Sequence, residues 1–128
     1  SSSYSFVKKD IKGDFKADRV IDEQFMIVKG SKGIYIFAGC SHYGVLNCIE
    51  YAKELFPDTG IYGVIGGMHL EKSTKSQLGQ LSDNLQSMGI ESIIPLHCTG
   101  IMESSFLKNR FGDKCFLLNS GDEHILEY

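Results

Sequence analysis

Apolar runs of strand length alternate with segments of helical periodicity along most of this chain. Between Tyr43 and Phe56, apolar residues recur at i, i+4, i+7 and i+11, the period of an amphipathic helix. A second helical pattern begins at Thr74, which has capping-box spacing to Gln77. The strand-like runs are 24–29, 34–38, 61–65 and 92–96. This alternation predicts an α/β fold in which helices cover a mixed sheet.

The remaining segments complete the predicted domain. Turn residues at 30–33 join the first two strands into a hairpin, and Thr99 is placed as the N-cap of a third helix that runs to about Arg110. Residues 1–22 are polar and charged, and we expect an irregular lead-in with one edge strand. Short closing strands are predicted at 115–118 and 125–128. Residues 23–128 would then form one α/β unit.

Size and charge restrict the possible partners. A chain of 128 residues with 42% hydrophobic content is long enough for one compact domain and short for two. The net charge of -3, without a basic run, argues against binding to nucleic acid or to an anionic membrane, so we expect a small-molecule substrate. Its apolar runs fall short of the ~20 residues needed to span a bilayer, and we expect a cytoplasmic protein whose four cysteines are thiols.

Three histidines follow directly after predicted strands: His42, His69 and His97. Because parallel strands end at the same edge of a sheet, these side chains should gather there. Imidazole is a common zinc ligand, and Cys40 would share a face with His42 in extended geometry, so the pair could share one metal centre. The alternative for each histidine is a hydrogen-bonded turn residue, and for Cys40 a small buried apolar residue.

Other polar residues carry weaker signals. Cys98 could act as a nucleophile, but the sequence identifies no base to activate it. Cys48 and Cys115 are interpreted as core thiols, and His124 as a surface histidine. The helix start at Thr99 could offer backbone N–H groups to a phosphate or carboxylate of a substrate.

Four segments, taken in order, resemble a known family. They are Asp22-Glu23-Gln24, Gly33 through Gly39-Cys40-Ser41-His42, Gly66-Gly67-Met68-His69-Leu70 and His97-Cys98-Thr99-Gly100. Together they resemble the C-terminal half of the metallo-β-lactamase superfamily, in the branch related to 7,8-dihydropterin-6-methyl-4-(β-D-ribofuranosyl)-aminobenzene 5'-phosphate synthase. The resemblance implies one βα half of an αββα sandwich. It also implies one or two divalent metals at the sheet edge, usually zinc, with iron or manganese as alternatives.

The resemblance assigns roles to individual residues. His97 matches the last ligand histidine, Cys40 stands where many members place an aspartate or cysteine ligand, and His42 is a further ligand. His69 is assigned as a ligand or as a group that contacts the substrate near the metal. Thr99 is predicted as a substrate contact or additional ligand from its place at a helix start, not from the resemblance. The implied reaction is attack of a metal-bound hydroxide on an ester, lactam or phosphoester bond.

One motif of the family is absent from the chain, namely the His-x-His-x-Asp-His sequence that supplies most of the ligands. We therefore expect the chain to contribute only part of a site and to be inactive alone. The rest would come from a missing N-terminal half or from a second chain, a homodimer included. The alternative is a non-catalytic α/β binding module, a degenerate half-domain that self-associates and covers its apolar sheet face in that way.

Overall fold

The computed structural model describes residues 6–127 and contains two sheets and three α-helices. No helix in this range is long and apolar enough to cross a membrane. The strands are β1 (Phe6–Lys9), β2 (Phe15–Asp18), β3 (Phe25–Lys29), β4 (Ile34–Ala38), β5 (Ile61–Gly67) and β6 (Ser92–Leu96). The helices are α1 (Val45–Leu55), α2 (Lys75–Ser87) and α3 (Ile101–Phe111), with short 3-10 turns at His97–Thr99 and Gly112–Lys114.

The main sheet is mixed, with the strand order β3-β4-β5-β6. β3 and β4 form the predicted antiparallel hairpin, whereas β4, β5 and β6 are parallel to one another. The parallel strands therefore end at one edge, and the loops that follow them meet there. The predicted α/β fold with a mixed sheet is confirmed.

The core lies between this sheet and the helices. Alternate residues of β4, Ile34 and Ile36, are fully buried against α1 and the neighbouring strands. Ile49 of α1, Leu85 of α2 and Leu107 of α3 are also fully buried in the same cluster. Because all three helices contribute to this one cluster, they pack on one face of the sheet.

The other face of the sheet is covered only in part. Tyr35, Ile65 and Ile94 are buried there beneath partly buried apolar residues that include Phe116, Leu118 and Leu126 of the C-terminal segment. The Tyr35 hydroxyl donates a hydrogen bond to the carbonyl oxygen of Glu127. Towards β3 the cover ends, and Met26 is 56% exposed. The apolar face expected for an unpartnered half is thus reduced in area but still present.

Two segments differ from the prediction. The lead-in expected at 1–22 holds two strands rather than one, because β1 and β2 pair as a separate antiparallel sheet; residues 1–5 lie outside the described part. The closing strands predicted at 115–118 and 125–128 are wrong for residues 115–118 and 125–127, and Tyr128 also lies outside the description. Only a single bridge links Cys115 to Ile93, because the chain then leaves the sheet edge to cross its second face.

Candidate metal centre

Within three residues of its end, each parallel strand is followed by a non-glycine residue in the left-handed backbone region. These residues are Ser41 after β4 (φ 60°), His69 after β5 (φ 48°) and His97 after β6 (φ 49°). Such a conformation costs free energy for a residue with a Cβ and recurs at functional sites, where the surrounding structure maintains it. The three loops therefore turn sharply at the same edge of the sheet.

Two glycines at the end of β5 allow the loops to approach closely. A Cβ on Gly66, whose φ is 127°, would overlap the carbonyl group of Ala38. A Cβ on Gly67 would overlap the Gly39 carbonyl oxygen and lie 2.8 Å from the Cys98 sulfur. The Gly-Gly pair thus leaves the space in which residues from the β4 and β6 loops meet.

Cys40, His97 and Cys98 form the group of side chains that could hold a metal ion. One ligand atom from each, two sulfurs and an imidazole nitrogen, lies within 4.8 Å of the other two. Both cysteines are half-buried and His97 is exposed, so the group lies at the surface of the sheet edge. Among residues 6–127, it is the one such cluster of three or more metal-binding side chains.

Cys98 joins all three loops. Its thiol donates a hydrogen bond to the Cys40 carbonyl oxygen at 3.3 Å, and its sulfur accepts one from the His69 backbone N–H. Burial, with the nearby Cys40 as a further cause, raises the pKa of Cys98 to about 11. Without a cation beside it, this thiol therefore stays protonated at neutral pH.

His42 and His69 form a second group with Glu23. The two imidazole rings make an edge contact, with centroids 4.9 Å apart and planes at 76°. His42 Nδ1 lies 2.9 Å from Glu23 Oε1, and Phe6 of β1 packs edge-on against the His42 ring at 4.7 Å. Burial and the adjacent His42 lower the pKa of His69, which favours the neutral, metal-binding form of its ring.

The structure therefore separates residues that the sequence assigns to one centre. His42 does not join the group of Cys40 and His97. Ser41, which lies between Cys40 and His42, adopts φ 60° and so breaks the extended geometry that would place these two side chains on one face. Cys98 takes the place of His42 in the group. The sequence suggests Cys98 as a nucleophile and not as a ligand. Its position directly after His97 is the one feature of the sequence that could have indicated a ligand role.

Thr99 lies inside the loops and is 1% exposed. Its hydroxyl donates to the Leu96 carbonyl oxygen at 2.8 Å and accepts from the Met68 backbone N–H at 3.1 Å. It is not the N-cap of α3, since Gly100 occupies that position and the 3-10 turn takes up Thr99. Its hydroxyl joins the β5 and β6 loops, and its role as a substrate contact stays a prediction.

A groove of about 440 Å³ opens beside the two histidines, between the loop that precedes α1 and helix α2. His42 and His69 line one part of it, and Asn47, Lys72 and Gln77 are among its polar residues. Its volume lies in the range of small-molecule sites. The groove gives a ligand access to the histidine pair.

Cys115 and His124 lie away from this edge, whereas Cys48 of α1 is hydrogen-bonded to Ser41 in the loop after β4. Cys48 and Cys115 are buried in the core as free thiols, as predicted. His124 is half-buried rather than fully exposed, and its ring packs on Phe116 at 4.4 Å between centroids.

Comparison with known proteins places this geometry in context. A crystal structure of a metal-dependent hydrolase of the β-lactamase superfamily matches with a TM-score of 0.75 and 31% identity over 84% of this chain and 41% of that one. The chain resembles the metallo-β-lactamase superfamily. A divalent metal is implied by this resemblance, and the sheet edge that carries Cys40, His97 and Cys98 is where the described residues could hold it.

Two curated proteins of Methanocaldococcus jannaschii are also similar to this chain. An uncharacterized protein is 40% identical over 83 residues, which are 65% of this chain and 29% of that protein. A 7,8-dihydropterin-6-methyl-4-(β-D-ribofuranosyl)-aminobenzene-5'-phosphate synthase is 28% identical over 104 residues, which are 81% of this chain and 35% of the synthase. The chain thus spans about a third of the length of these relatives. No family model matches it.

Proposed function

We propose that this chain supplies part of the active site of a metal-dependent hydrolase, in which Cys40, His97 and Cys98 bind a zinc ion. The observation that carries the proposal is the convergence of these three ligand atoms within 4.8 Å at the ends of β4 and β6. The resemblance to a metal-dependent hydrolase of the β-lactamase superfamily supports the reaction class.

The donor set suits zinc. Two thiolates and an imidazole are typical zinc ligands, and three protein ligands leave a fourth position for water or substrate. Ligands in the loops that directly follow buried parallel strands are held rigidly, so little ordering is needed when the ion binds. Iron and manganese are the alternatives, although manganese prefers oxygen donors.

A bound divalent ion would lower the pKa of a coordinated water and polarise an ester, lactam or phosphoester bond. The protein residues would orient the reactants. His42 and His69 would contact a second ion or the substrate, and the adjacent groove that they line is large enough for a small molecule. Thr99 would act indirectly by maintaining the loop after β6.

The rest of the site would come from an N-terminal half like that of the relatives or from a second chain. The length of the relatives supports this, because each extends well beyond the part that the chain matches. The partly uncovered second face of the sheet, where Met26 is exposed, offers an apolar surface for that partner. A homodimer formed through this face would be the equivalent arrangement for the chain alone.

Metal content tests the proposal directly. After reconstitution with zinc and removal of excess metal, we expect elemental analysis to find one zinc per chain. His97→Ala and Cys98→Ala should lower zinc affinity at least tenfold, since each removes one of three ligands. His124→Ala is the matched control, because His124 lies outside the group.

The non-catalytic binding module makes a different prediction. In that case the wild-type chain would retain no zinc, iron or manganese, and His97→Ala would leave every metal measurement unchanged. Such a result would remove the proposed metal function from this chain.

A further inference from the structure

The carboxylate of Glu23 makes three contacts with the loop that follows β4. Oε1 accepts a hydrogen bond from the His42 backbone N–H at 2.6 Å, and Oε2 accepts one from the Tyr43 backbone N–H at 3.3 Å. Oε1 also lies 2.9 Å from His42 Nδ1. The same side chain therefore contacts both the backbone and the ring of His42.

We propose that Glu23 is a positioning residue that holds His42 as the Nδ1–H tautomer, with Nε2 left unprotonated to accept a metal ion or a proton. The inference rests on the proposed function only for what Nε2 would bind. The tautomer is a property of the chain itself.

The argument for the tautomer follows from donors and acceptors. An ionised carboxylate only accepts hydrogen bonds, and its charge lies 2.9 Å from Nδ1. The N–H at Nδ1 is not aligned for a full hydrogen bond to Oε1, but the negative charge beside Nδ1 favours the neutral ring form that carries its proton there. The Nε2–H tautomer would instead bring the Nδ1 lone pair against a carboxylate oxygen. The side chains of Glu23 and His42 are only 12% and 21% exposed, so water cannot easily relieve that repulsion.

Packing around the pair restricts the ring further. Phe6 and His69 both contact the His42 ring with edge geometry, at 4.7 and 4.9 Å between centroids. The Tyr43 hydroxyl donates a hydrogen bond to the Arg19 carbonyl oxygen, which ties the same loop to the segment preceding Glu23. A carboxylate behind a histidine is a common means of orienting a ligand nitrogen.

Histidine side-chain NMR of the metal-free chain tests the inference. At pH about 8.5, where imidazole rings are ordinarily neutral, ¹⁵N–¹H correlation should show His42 with Nδ1–H in at least about tenfold excess over Nε2–H. In Glu23→Gln this ratio should fall at least tenfold, because a neutral amide can also donate to Nδ1.

Two control variants separate positioning from general loosening. Tyr43→Phe removes the contact with Arg19 from the same loop but leaves the carboxylate, so the His42 tautomer ratio should not change. Glu50→Gln removes an exposed carboxylate that pairs with Lys53, and it should also have no effect.

The wild-type spectrum tests the tautomer of His42 even if Glu23→Gln does not fold. A dominant Nε2–H tautomer, an even mixture or a doubly protonated ring in the wild type would overturn the inference, as would an unchanged ratio in folded Glu23→Gln. Absence of zinc from a chain with the expected tautomer would contradict the proposed function and leave the role of Glu23 intact.

Discussion

At the scale of single residues, Gly67 and Gly79 differ in what an added methyl group would meet. At Gly67 it would overlap the Gly39 carbonyl oxygen and lie 2.8 Å from the Cys98 sulfur, whereas at Gly79 in α2 nothing lies within 4 Å. We expect Gly67→Ala to cost about 1–3 kcal/mol of unfolding free energy and to lower zinc affinity at least tenfold, because backbone atoms must shift. Urea denaturation and competition with a zinc chelator measure the two effects.

Gly79→Ala is the matched control. It should stabilise the chain by up to about 1 kcal/mol, since alanine favours the helix, and leave zinc affinity unchanged. Equal zinc affinities for Gly67→Ala and Gly79→Ala would contradict the role of Gly67 in spacing the ligands.

The buried thiol of Cys115 should make the free energy of unfolding depend on pH. The side chain is fully buried, and this burial raises the pKa of Cys115 to about 11 from an ordinary value of 9.0. Unfolding therefore becomes easier as the pH rises from about 9 to about 11, because only the unfolded thiol ionises freely in this range. The thiol contributes its full stability below about pH 9, and the loss above it approaches 2–3 kcal/mol.

Urea unfolding of the metal-free chain between pH 8 and 11 measures this loss. Cys115→Ala should be less stable throughout, owing to the cavity, but should lose about 2 kcal/mol less than the wild type over that interval. Parallel curves for the two proteins would show that Cys115 does not titrate as its burial requires.

At the scale of elements, the contacts at the N-terminus of α2 are those that the sequence predicts. The Thr74 hydroxyl accepts a hydrogen bond from the Gln77 backbone N–H at 3.2 Å, and the Gln77 side chain accepts one from the Thr74 N–H at 2.8 Å. Both contacts depend only on residues three positions apart, so the sequence suffices to predict them. Helix α1 and the hairpin of β3 and β4 are likewise predicted from patterns within short segments of the sequence.

Removal of this cap should weaken the whole domain through α2. We expect Thr74→Ala to reduce the free energy of unfolding by about 1 kcal/mol, measured with urea. Ser76→Ala, two positions further on in the first turn of α2 and exposed, is the control and should change stability by less than about 0.5 kcal/mol. A smaller loss for Thr74→Ala than for Ser76→Ala would contradict the capping role.

Elements at the chain ends were predicted less well because their conformation depends on distant partners. Residues 115–118 have the composition of a strand, but they contact β6 through a single bridge and then cover Tyr35, Ile65 and Ile94 on the second face. Burial of that face outweighs further pairing at the sheet edge. The sequence of residues 115–118 does not by itself indicate that the segment covers the second face instead of pairing with β6.

At the scale of the whole molecule, we expect the partly uncovered second face of the sheet to bind another protein surface. Met26 is 56% exposed beside Phe37, its partner in the register of β3 and β4. If this face pairs two copies, light scattering should give a molar mass above that of one chain, and Met26→Lys should return it to the single-chain value.

Leu55→Lys provides the comparison, because Leu55 is 52% exposed but belongs to α1, which packs on the opposite face. It should leave the association unchanged. A monomeric wild type would contradict self-association and favour a partner within a longer protein.

Local patterns in the sequence determine the strands, the helices and the placement of His42, His69 and His97 directly after strands, since hydrophobic periodicity and turn residues act over a few positions. The tertiary structure alone decides which side chains meet. The left-handed turn at Ser41 sends His42 to Glu23 and His69, and Gly67 admits Cys98 beside Cys40 and His97. These contacts join residues that are up to 58 positions apart, so they depend on the spacing and register of three strands rather than on any segment by itself.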